Sequence, residues 1–256
     1  MSNIALVLSG GGVKGLAHIG VIKYIEEIGL NITHVSGTSS GALVGVMYAS
    51  GMKADEILHY FLNTTILTIK NYSFGKPGFL DLMKYEKELI DLIGHNSFES
   101  LERKFYVTAT NLFTSNEKVF YKGELIKPVL ASACFPMVFS PIEIEDAWYA
   151  DGGIVNNFPV ENIPLEVDHI IGVNLNFVAD IDKKALTSGF SLVERSFNVM
   201  MNAQTRKKSK ICSIYLSPPE LADIGVFDMK KRQFAFEVGY QAASNMEESF
   251  NKLLNR

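Results

Sequence analysis

The first 51 residues alternate short apolar runs with helical patterns, and a glycine-containing turn follows each run. Ile4–Leu8 is a run of five apolar residues that ends just before a glycine cluster, and apolar residues then recur at helical spacing from Leu16 to Ile28. A short strand pattern at His34–Ser36 and a helical pattern over Ser40–Gly51 repeat this order. Because strands separated by helices usually pair in parallel, the pattern predicts an α/β fold with a mostly parallel central sheet flanked by helices.

The remaining sequence continues this mixed pattern without an internal repeat or a linker. The chain has 256 residues, of which 47% are apolar, so it can bury a large core. A single domain over residues 1–256 is therefore the favoured organisation. We expect further helices over Ala54–Leu62 (with Lys53–Ile69 as its longest extent, before a break at Asn71–Gly78), Tyr85–Ile93, Glu124–Ala133, Ser191–Lys207 and Lys230–Leu254, and further strands over Phe105–Ala109, Lys118–Tyr121, Ile142–Ile144, Trp148–Ala150, His169–Leu175 and Cys212–Leu216.

Charge, cysteine content and hydropathy exclude several classes of protein. Lysine and arginine number 24 against 28 acidic residues, a formal charge of −4, which lacks the basic footprint of nucleic-acid binding. Cys134 and Cys212 are too few for a disulfide framework and do not have the spacing of a metal site, so we expect reduced thiols in a cytosolic protein. The N-terminus lacks the features of a signal peptide, and glycines and serines interrupt the uncharged stretch Val35–Met52. We therefore expect no transmembrane helix.

The loop Gly10–Gly15 joins the first strand to the first helix. Glycines there let the backbone turn sharply and direct N–H groups into one space, where the helix dipole favours negative charge. Such a loop can hold a phosphate or a developing oxyanion. It also satisfies Gly-x-Gly-x-x-Gly, which is typical of dinucleotide-binding folds. That alternative calls for an acidic residue at the end of the second strand, where Val35-Ser36-Gly37 stands instead.

The pentapeptide Gly37-Thr38-Ser39-Ser40-Gly41 follows the second strand and opens the second helix. A Gly-x-Ser-x-Gly sequence in this position is typical of a nucleophile elbow, in which a strained turn presents the serine hydroxyl. Glycine- and serine-rich turns also occur as plain helix caps. The neighbouring glycine loop favours the elbow, because adjacent parallel strands end at the same edge of the sheet.

A serine nucleophile needs a base, and Asp151 and five histidines are the candidates. Asp151-Gly152-Gly153 also has a plainer interpretation, as a turn closed by an Asx hydrogen bond. The order Ser39, Asp151, His169 matches that of an α/β-hydrolase triad. Ser39 comes too early in the chain for that fold, however, and His169 begins a strand, away from the carboxyl ends where catalytic groups gather. We therefore expect His169 to be structural.

On these motifs the sequence resembles bacterial members of the patatin-like phospholipase family. The resemblance extends over four blocks in order, Gly10–Glu27, Gly37–Gly51, Ala131–Ile142 and Asp151–Val160. It implies a three-layer α/β fold and a lipid acyl hydrolase that uses a Ser-Asp dyad without histidine. It also implies a phospholipid or lysophospholipid substrate, peripheral membrane contact, and neither a cofactor nor a metal.

Carried over by position, the resemblance implies that Ser39 is the nucleophile, that Asp151 is the general base, and that Gly10, Gly11 and Gly12 form the oxyanion hole. Lys14 stands where the family often has arginine, so the charge is kept but the planar fork is lost. The region Asp168–Arg256 carries no match at the level of single residues. The remaining motif positions are Gly15, Gly37, Gly41, Gly152 and Gly153.

Several alternatives stay open at this point. The protein could instead be a nucleotide- or phosphate-binding module, or a lipid-binding protein without turnover, and acyltransferase or thioesterase activity would use the same residues. The apolar stretch Phe61–Met83 is either core or part of a lipid entrance. The basic clusters Arg206–Lys210 and Lys230–Arg232 are either solvated helix ends or attractors of anionic head groups. Cys134 is expected to be a small buried residue.

Overall fold

A computed structural model describes residues 2–64, 78–182, 184, 186–205 and 207–254. The described residues are organised around one sheet. Its strands are β1 Ile4–Leu8, β2 His34–Thr38, β3 Lys104–Asn111, β4 Asn116–Phe120, β5 Ile142–Ile144, β6 Ala147–Asp151, β7 His169–Val173 and β8 Ile214–Leu216. They lie in the order β5-β6-β3-β2-β1-β7-β8, and β4 also pairs with β3. Strands β3, β2, β1, β7 and β8 are parallel, and β4, β5 and β6 are antiparallel to their neighbours.

Helices flank this sheet and bury its central strands. Every residue of β1 and β2 is buried, as expected for parallel strands that are covered on both faces. The predicted α/β class with a mostly parallel sheet is therefore confirmed. The helices are α1 Leu16–Glu27, α2 Ser40–Ala49, α3 Ala54–Asn63, α4 Glu86–Ile93, α5 Ile126–Ser132, α6 Gly189–Thr205, α7 Arg232–Ser244 and α8 Glu247–Leu254.

Two predicted helices differ from the structure by more than about two residues. Helix α3 ends at Asn63 and Thr64 is extended, so the longer prediction Lys53–Ile69 is wrong at that point, while residues 65–69 lie outside the described residues. Most of the predicted break Asn71–Gly78 lies outside them as well. The predicted helix Lys230–Leu254 is two helices, α7 and α8, after a 3-10 turn at Met229–Lys231. The turn between α7 and α8 redirects the chain so that the fully buried Phe250 packs edge-on against Tyr24 of α1.

The register of the sheet brings the ends of the strands that carry the motifs close together. Leu8, the last residue of β1, pairs with Gly37 of β2, so the loops after both strands begin at the same edge. Thr38 pairs with Thr108 of β3, and Asp151 of β6 pairs with the next residue, Ala109. The residue after Thr38 is therefore placed beside Asp151, at the carboxyl edge of the parallel strands, where open α/β sheets bind ligands.

None of the described helices combines the length and the apolar character needed to cross a membrane.

Candidate active site

Ser39 occupies a strained turn between β2 and α2. Its backbone angles are φ 55° and ψ −123°, a region that costs a non-glycine residue about 1–3 kcal/mol. Its N–H donates to Ser132 Oγ at 2.9 Å, and that hydroxyl donates to the Thr108 carbonyl at 2.6 Å. Its carbonyl accepts the first hydrogen bonds of α2, from Ala42 and Leu43. The strand–turn–helix geometry expected of the pentapeptide is therefore present.

Asp151 ends β6 and faces Ser39. Ser39 Oγ donates to Asp151 Oδ2 at 2.6 Å, while the N–H of Gly153 donates to the other carboxylate oxygen at 2.7 Å. Asp151 is only 3% exposed. Burial raises the pKa of its carboxyl from 3.8 to about 6, although the hydrogen bonds from Ser39 and Gly153 lower it in part. Such a carboxylate is a stronger base than an exposed one and is still mainly ionised at neutral pH.

The glycine loop after β1 presents free N–H groups beside this pair. The Gly10 carbonyl accepts from Asn176 Nδ2 at 2.6 Å and from Ser9 Oγ at 3.1 Å, so it is turned into the protein. Within the described part of the chain, the N–H groups of Gly11 and Gly12 have no acceptor, and both residues line the same cavity as Ser39. Unpaired N–H groups in such a place can bind an anionic oxygen.

Gly12 shows why the loop needs glycine. Its φ is +58°, and a Cβ there would collide with the carbonyl oxygen of Val226. The neighbouring Val13 donates its N–H to that same carbonyl at 2.9 Å, which fixes the loop against the segment before α7.

The other motif positions lie around these groups. Gly15 precedes α1 and packs on Ser40, and Gly37 lies within β2. Gly41 is in the first turn of α2, and Gly152 and Gly153 form the 3-10 turn after Asp151. Lys14 is only 2% exposed, and within the described chain it has neither an ion pair nor a hydrogen bond from its ammonium. Burial lowers the pKa of Lys14, and the nearby Glu194 carboxylate partly offsets that effect.

No histidine contributes to the site. All five histidines are among the described residues, and none of them hydrogen-bonds to Ser39 or Asp151. His169 pairs with Ile4 at the start of β1, so it lies at the opposite edge of the sheet, roughly 13 Å of strand away from the glycine loop. His18 is fully buried and its Nε2 lies 2.8 Å from the Ser9 carbonyl. Burial lowers the pKa of His18 to about 4, so it stays neutral at physiological pH.

A cavity of about 120 Å³ opens beside Ser39 and Asp151. Its walls are mainly apolar and come from α2, α3, α6 and the segment before α7. A second, smaller cavity of about 20 Å³ shares Leu43, Phe61 and Leu82 with it. An apolar space that ends on a hydroxyl, a carboxylate and free N–H groups suits an ester with an acyl chain. The main wall residues include Leu43, Phe61, Phe135, Met201 and Phe227.

Three buried polar residues support the site but were not singled out in the sequence. Ser132 lies in the block Ala131–Ile142 and Asn157 in the block Asp151–Val160, so the matching blocks include both residues without indicating their roles. The backbone carbonyl of Asn157 accepts a hydrogen bond from the Gly10 N–H at 3.2 Å, and Asn157 also lines the cavity. Asn176 follows β7, in the region without recognisable motifs, and no sequence signal pointed to it.

The structure also places the apolar stretch, one basic cluster and the buried cysteine that the sequence analysis describes. Phe61 and Leu82 line the cavity, while residues 65–77 of the same apolar stretch lie outside the described residues. Lys208 is not a free basic group, because its ammonium bonds to Glu161, Asn156 and the Phe158 carbonyl. Arg206 of that cluster is outside the described residues. Cys134 is fully buried, and burial raises the pKa of its thiol.

Comparison with known proteins shows relatives of this chain and a counterpart of its fold. Residues 6–163 match the family described as patatin-like phospholipase. An uncharacterized NTE family protein of Mycobacterium tuberculosis is 34% identical over 177 residues, which cover 68% of this chain and 49% of that protein. The lysophospholipase nte1 of Aspergillus niger is 24% identical over 290 residues, which cover 98% of this chain and 18% of that protein. The chain thus spans half the length, or less, of these curated relatives.

The fold has a counterpart among solved structures. VipD from Legionella pneumophila superposes with a TM-score of 0.58 at 16% sequence identity, covering 97% of this chain and 67% of that one. Identity at this level supports the fold alone. Together with the family match over more than half of the sequence, it places the molecule in a known class of α/β proteins, and the chain belongs to the patatin-like phospholipase family.

Proposed function

We propose that this chain is a serine ester hydrolase, a single catalytic domain over residues 1–256 that cleaves carboxylic esters of phospholipids or lysophospholipids. The observation that carries the proposal is the 2.6 Å hydrogen bond from Ser39 Oγ to the buried carboxylate of Asp151, at an apolar cavity. Family membership and the relative named as a lysophospholipase support the same reaction class.

The proposed reaction has two steps. Asp151 takes the proton of the Ser39 hydroxyl as Oγ attacks the ester carbonyl, and the oxyanion is stabilised by the N–H groups of Gly11 and Gly12. Collapse of the tetrahedral intermediate breaks the ester C–O bond, and the alcohol leaves with the proton from Asp151. Water then repeats the sequence on the acyl-enzyme, which releases the fatty acid and restores Ser39.

The oxyanion donors supply a large share of the rate in this proposal. A carboxylate with a pKa of about 6 is still a weak base for a serine hydroxyl. Loss of one oxyanion-hole donor typically costs about 3–4 kcal/mol in the transition state. Gly10 orients the N–H group of Gly11. The Gly10 carbonyl is held inward, and in a trans peptide the N–H of the next residue faces the opposite way.

The test is covalent labelling with a fluorophosphonate, followed by peptide mass analysis. We expect one adduct on Ser39, and we expect Ser39→Ala and Asp151→Asn to abolish both labelling and ester hydrolysis. Ser40→Ala is the matched control, because Ser40 is the adjacent serine and its buried Oγ has no hydrogen-bond partner among the described residues. His169→Ala should also retain labelling.

The same experiment separates the alternatives. Folded protein without an adduct at Ser39 would refute the hydrolase, leaving a lipid-binding protein without turnover or a phosphate-binding module. The second alternative also predicts stabilisation by a nucleotide, which the apolar cavity beside the glycine loop does not favour. If His169→Ala were inactive although folded, the dyad without histidine would be wrong.

A further inference from the structure

Among the described residues, one cationic side chain lines the cavity beside Ser39. Among the described residues that line it, the ionisable side chains are Asp151, assigned above to the dyad, and Arg232, the first residue of α7. The other lining residues are apolar or small and uncharged. Arg232 is partly exposed, so its side chain is open to a ligand and its partners in the protein decide how the guanidinium is oriented.

Three backbone carbonyls hold the guanidinium in place. Nε donates to the Met229 carbonyl at 2.9 Å, and Nη1 donates to the carbonyls of Phe61 and Leu62 at 2.9 and 3.0 Å. The last two carbonyls belong to the final turn of α3, so Arg232 also caps that helix. These contacts fix the orientation of the guanidinium, but neutral acceptors do not cancel its charge.

Among the described residues, the charge of Arg232 has no counter-ion. Within the described part of the chain, no carboxylate forms an ion pair with Arg232, and Nη2 has no hydrogen-bond partner. The residues outside that part include no aspartate or glutamate, so their side chains cannot supply the missing carboxylate. The site is therefore arranged to accept an anion from a ligand.

We infer that Arg232 binds the phosphate of a phospholipid or lysophospholipid head group while the ester carbonyl lies at Ser39. This inference rests on the proposed function and adds a specificity-determining residue to it. A guanidinium suits a phosphate because its planar N–H groups match two phosphate oxygens, and its Nη2 group is the one left unbonded. A neutral acylglycerol with the same chain offers no anion to Arg232, so the charge discriminates between the two lipid classes.

The test compares two lipids that differ only in the head group. Oleoyl lysophosphatidylcholine and monooleoylglycerol are hydrolysed in micelles of one neutral detergent, and rates are divided by the concentration of sites that react with fluorophosphonate, so only folded enzyme is counted. For Arg232→Gln we expect the ratio of kcat/KM, phospholipid over neutral lipid, to fall at least about tenfold, since hydrogen bonds to charged groups are strong. Arg232→Lys keeps the charge without the fork and should give an intermediate ratio.

Lys231→Gln is the matched control. Lys231 is the adjacent exposed cation, it stacks over the Phe234 ring at 5.2 Å, and it does not line the cavity. Its removal should leave the ratio within about twofold of the wild-type value, as expected for a screened surface charge.

The possible outcomes distinguish the role inferred for Arg232 from the proposed hydrolase function. An equal loss on both lipids would mean that Arg232 acts only as a cap of α3, and an unchanged ratio would mean that it does not contact the head group; either result overturns the inference. If Arg232→Gln leaves no sites that react with fluorophosphonate, the kcat/KM ratio of Arg232→Lys is the test. A wild-type ratio for Arg232→Lys would then also overturn the inference. Absence of labelling at Ser39 in the wild-type protein would instead refute the proposed hydrolase itself.

Discussion

Ser39 keeps its strained backbone through a hydroxyl from a distant part of the chain. Ser132 lies 93 positions away, accepts a hydrogen bond from the Ser39 N–H and donates its hydroxyl to the Thr108 carbonyl. Ser132 is fully buried, and these two hydrogen bonds link the turn after β2 to α5 and β3. The strain at Ser39 is thus sustained by its surroundings rather than by the turn alone.

Ser132→Ala should weaken both the fold and the turn. The Ser39 N–H would be left buried without an acceptor, and we expect the free energy of unfolding to fall by about 1–3 kcal/mol. The rate of fluorophosphonate labelling at Ser39 should fall as well, because the hydroxyl loses its fixed position. Urea unfolding and labelling kinetics measure the two effects. Ser244→Ala, at a partly exposed serine of α7, is the control. Normal labelling by the Ser132 variant would contradict the role given to this contact.

The pH dependence of acylation should report Asp151. Its pKa is raised to about 6, and only the ionised carboxylate can accept the Ser39 proton. Below that pH, kcat/KM for a short soluble ester should therefore fall about tenfold per pH unit, and above it the value should level off. The measurement is a pH–rate profile from pH 4.5 to 8 with Asp146→Asn, an exposed aspartate of the β5–β6 turn, as the control. A midpoint near 4 would mean that burial does not shift the base.

At the scale of elements, helices α2, α3 and α6 supply much of the apolar cavity wall, and Leu43 of α2 has a central place in it. This residue of α2 lines both the cavity at Ser39 and the smaller one that shares Phe61 and Leu82. The position between the two spaces makes Leu43 a candidate for setting how much of an acyl chain is accommodated.

Leu43→Trp should shorten the acyl chain that the site prefers. Each methylene that loses its apolar contact forfeits about 0.8 kcal/mol, so exclusion of two or more should lower kcat/KM for an oleoyl ester at least about tenfold. A butyryl ester should be affected much less. Both are compared with the wild-type protein and with Leu92→Trp, a substitution at a partly exposed position of α4. An equal loss on long and short esters would indicate general disturbance of the fold.

The periodicity of apolar residues predicted most helices and strands, but it did not predict where a long helical pattern divides into two helices. The patterns for β1, α1, α2, α4 and β5 each gave an element within about two residues of its observed bounds. The division between α7 and α8 carries no glycine or proline, so nothing local indicated it. After the division, Phe250 of α8 packs against Tyr24 of α1 with the ring centroids 5.3 Å apart, and packing between distant helices has no period in the sequence.

At the scale of the whole molecule, the last third of the chain is fastened to the first through a close helix contact. Helix α7 crosses α1 where Gly239 faces Ala17 and Gly20 faces Phe236, and a Cβ at either glycine would collide with a backbone carbonyl of the other helix. The crossing holds α7 against α1, and α7 begins with Arg232 at the cavity.

Gly239→Ala should therefore destabilise the whole protein. Forcing a methyl group into this contact should lower the free energy of unfolding by about 1–3 kcal/mol and reduce the Tm correspondingly. Gly189→Ala is the matched control, because no heavy atom lies within 4 Å of the added group at the start of α6. Thermal and urea unfolding measure the difference. Equal stability of the two variants would mean that the helices can separate without cost.

The sequence by itself determined the α/β class and the two turns at Gly10–Gly15 and Gly37–Gly41, because a strand, a tight turn and a helix start leave their marks within a few neighbouring residues. It indicated Ser39 and Asp151 as a candidate pair only through the family resemblance, since the residues alone left Asp151 and five histidines open as the base. Only the tertiary structure decided what surrounds the pair. Asn176 reaches Gly10 over 166 positions and Arg232 reaches Phe61 over 171, and their chemistry depends on which groups they meet across the folded chain. Long-range pairing of this kind is set by sheet register and helix packing, so no window of sequence contains it.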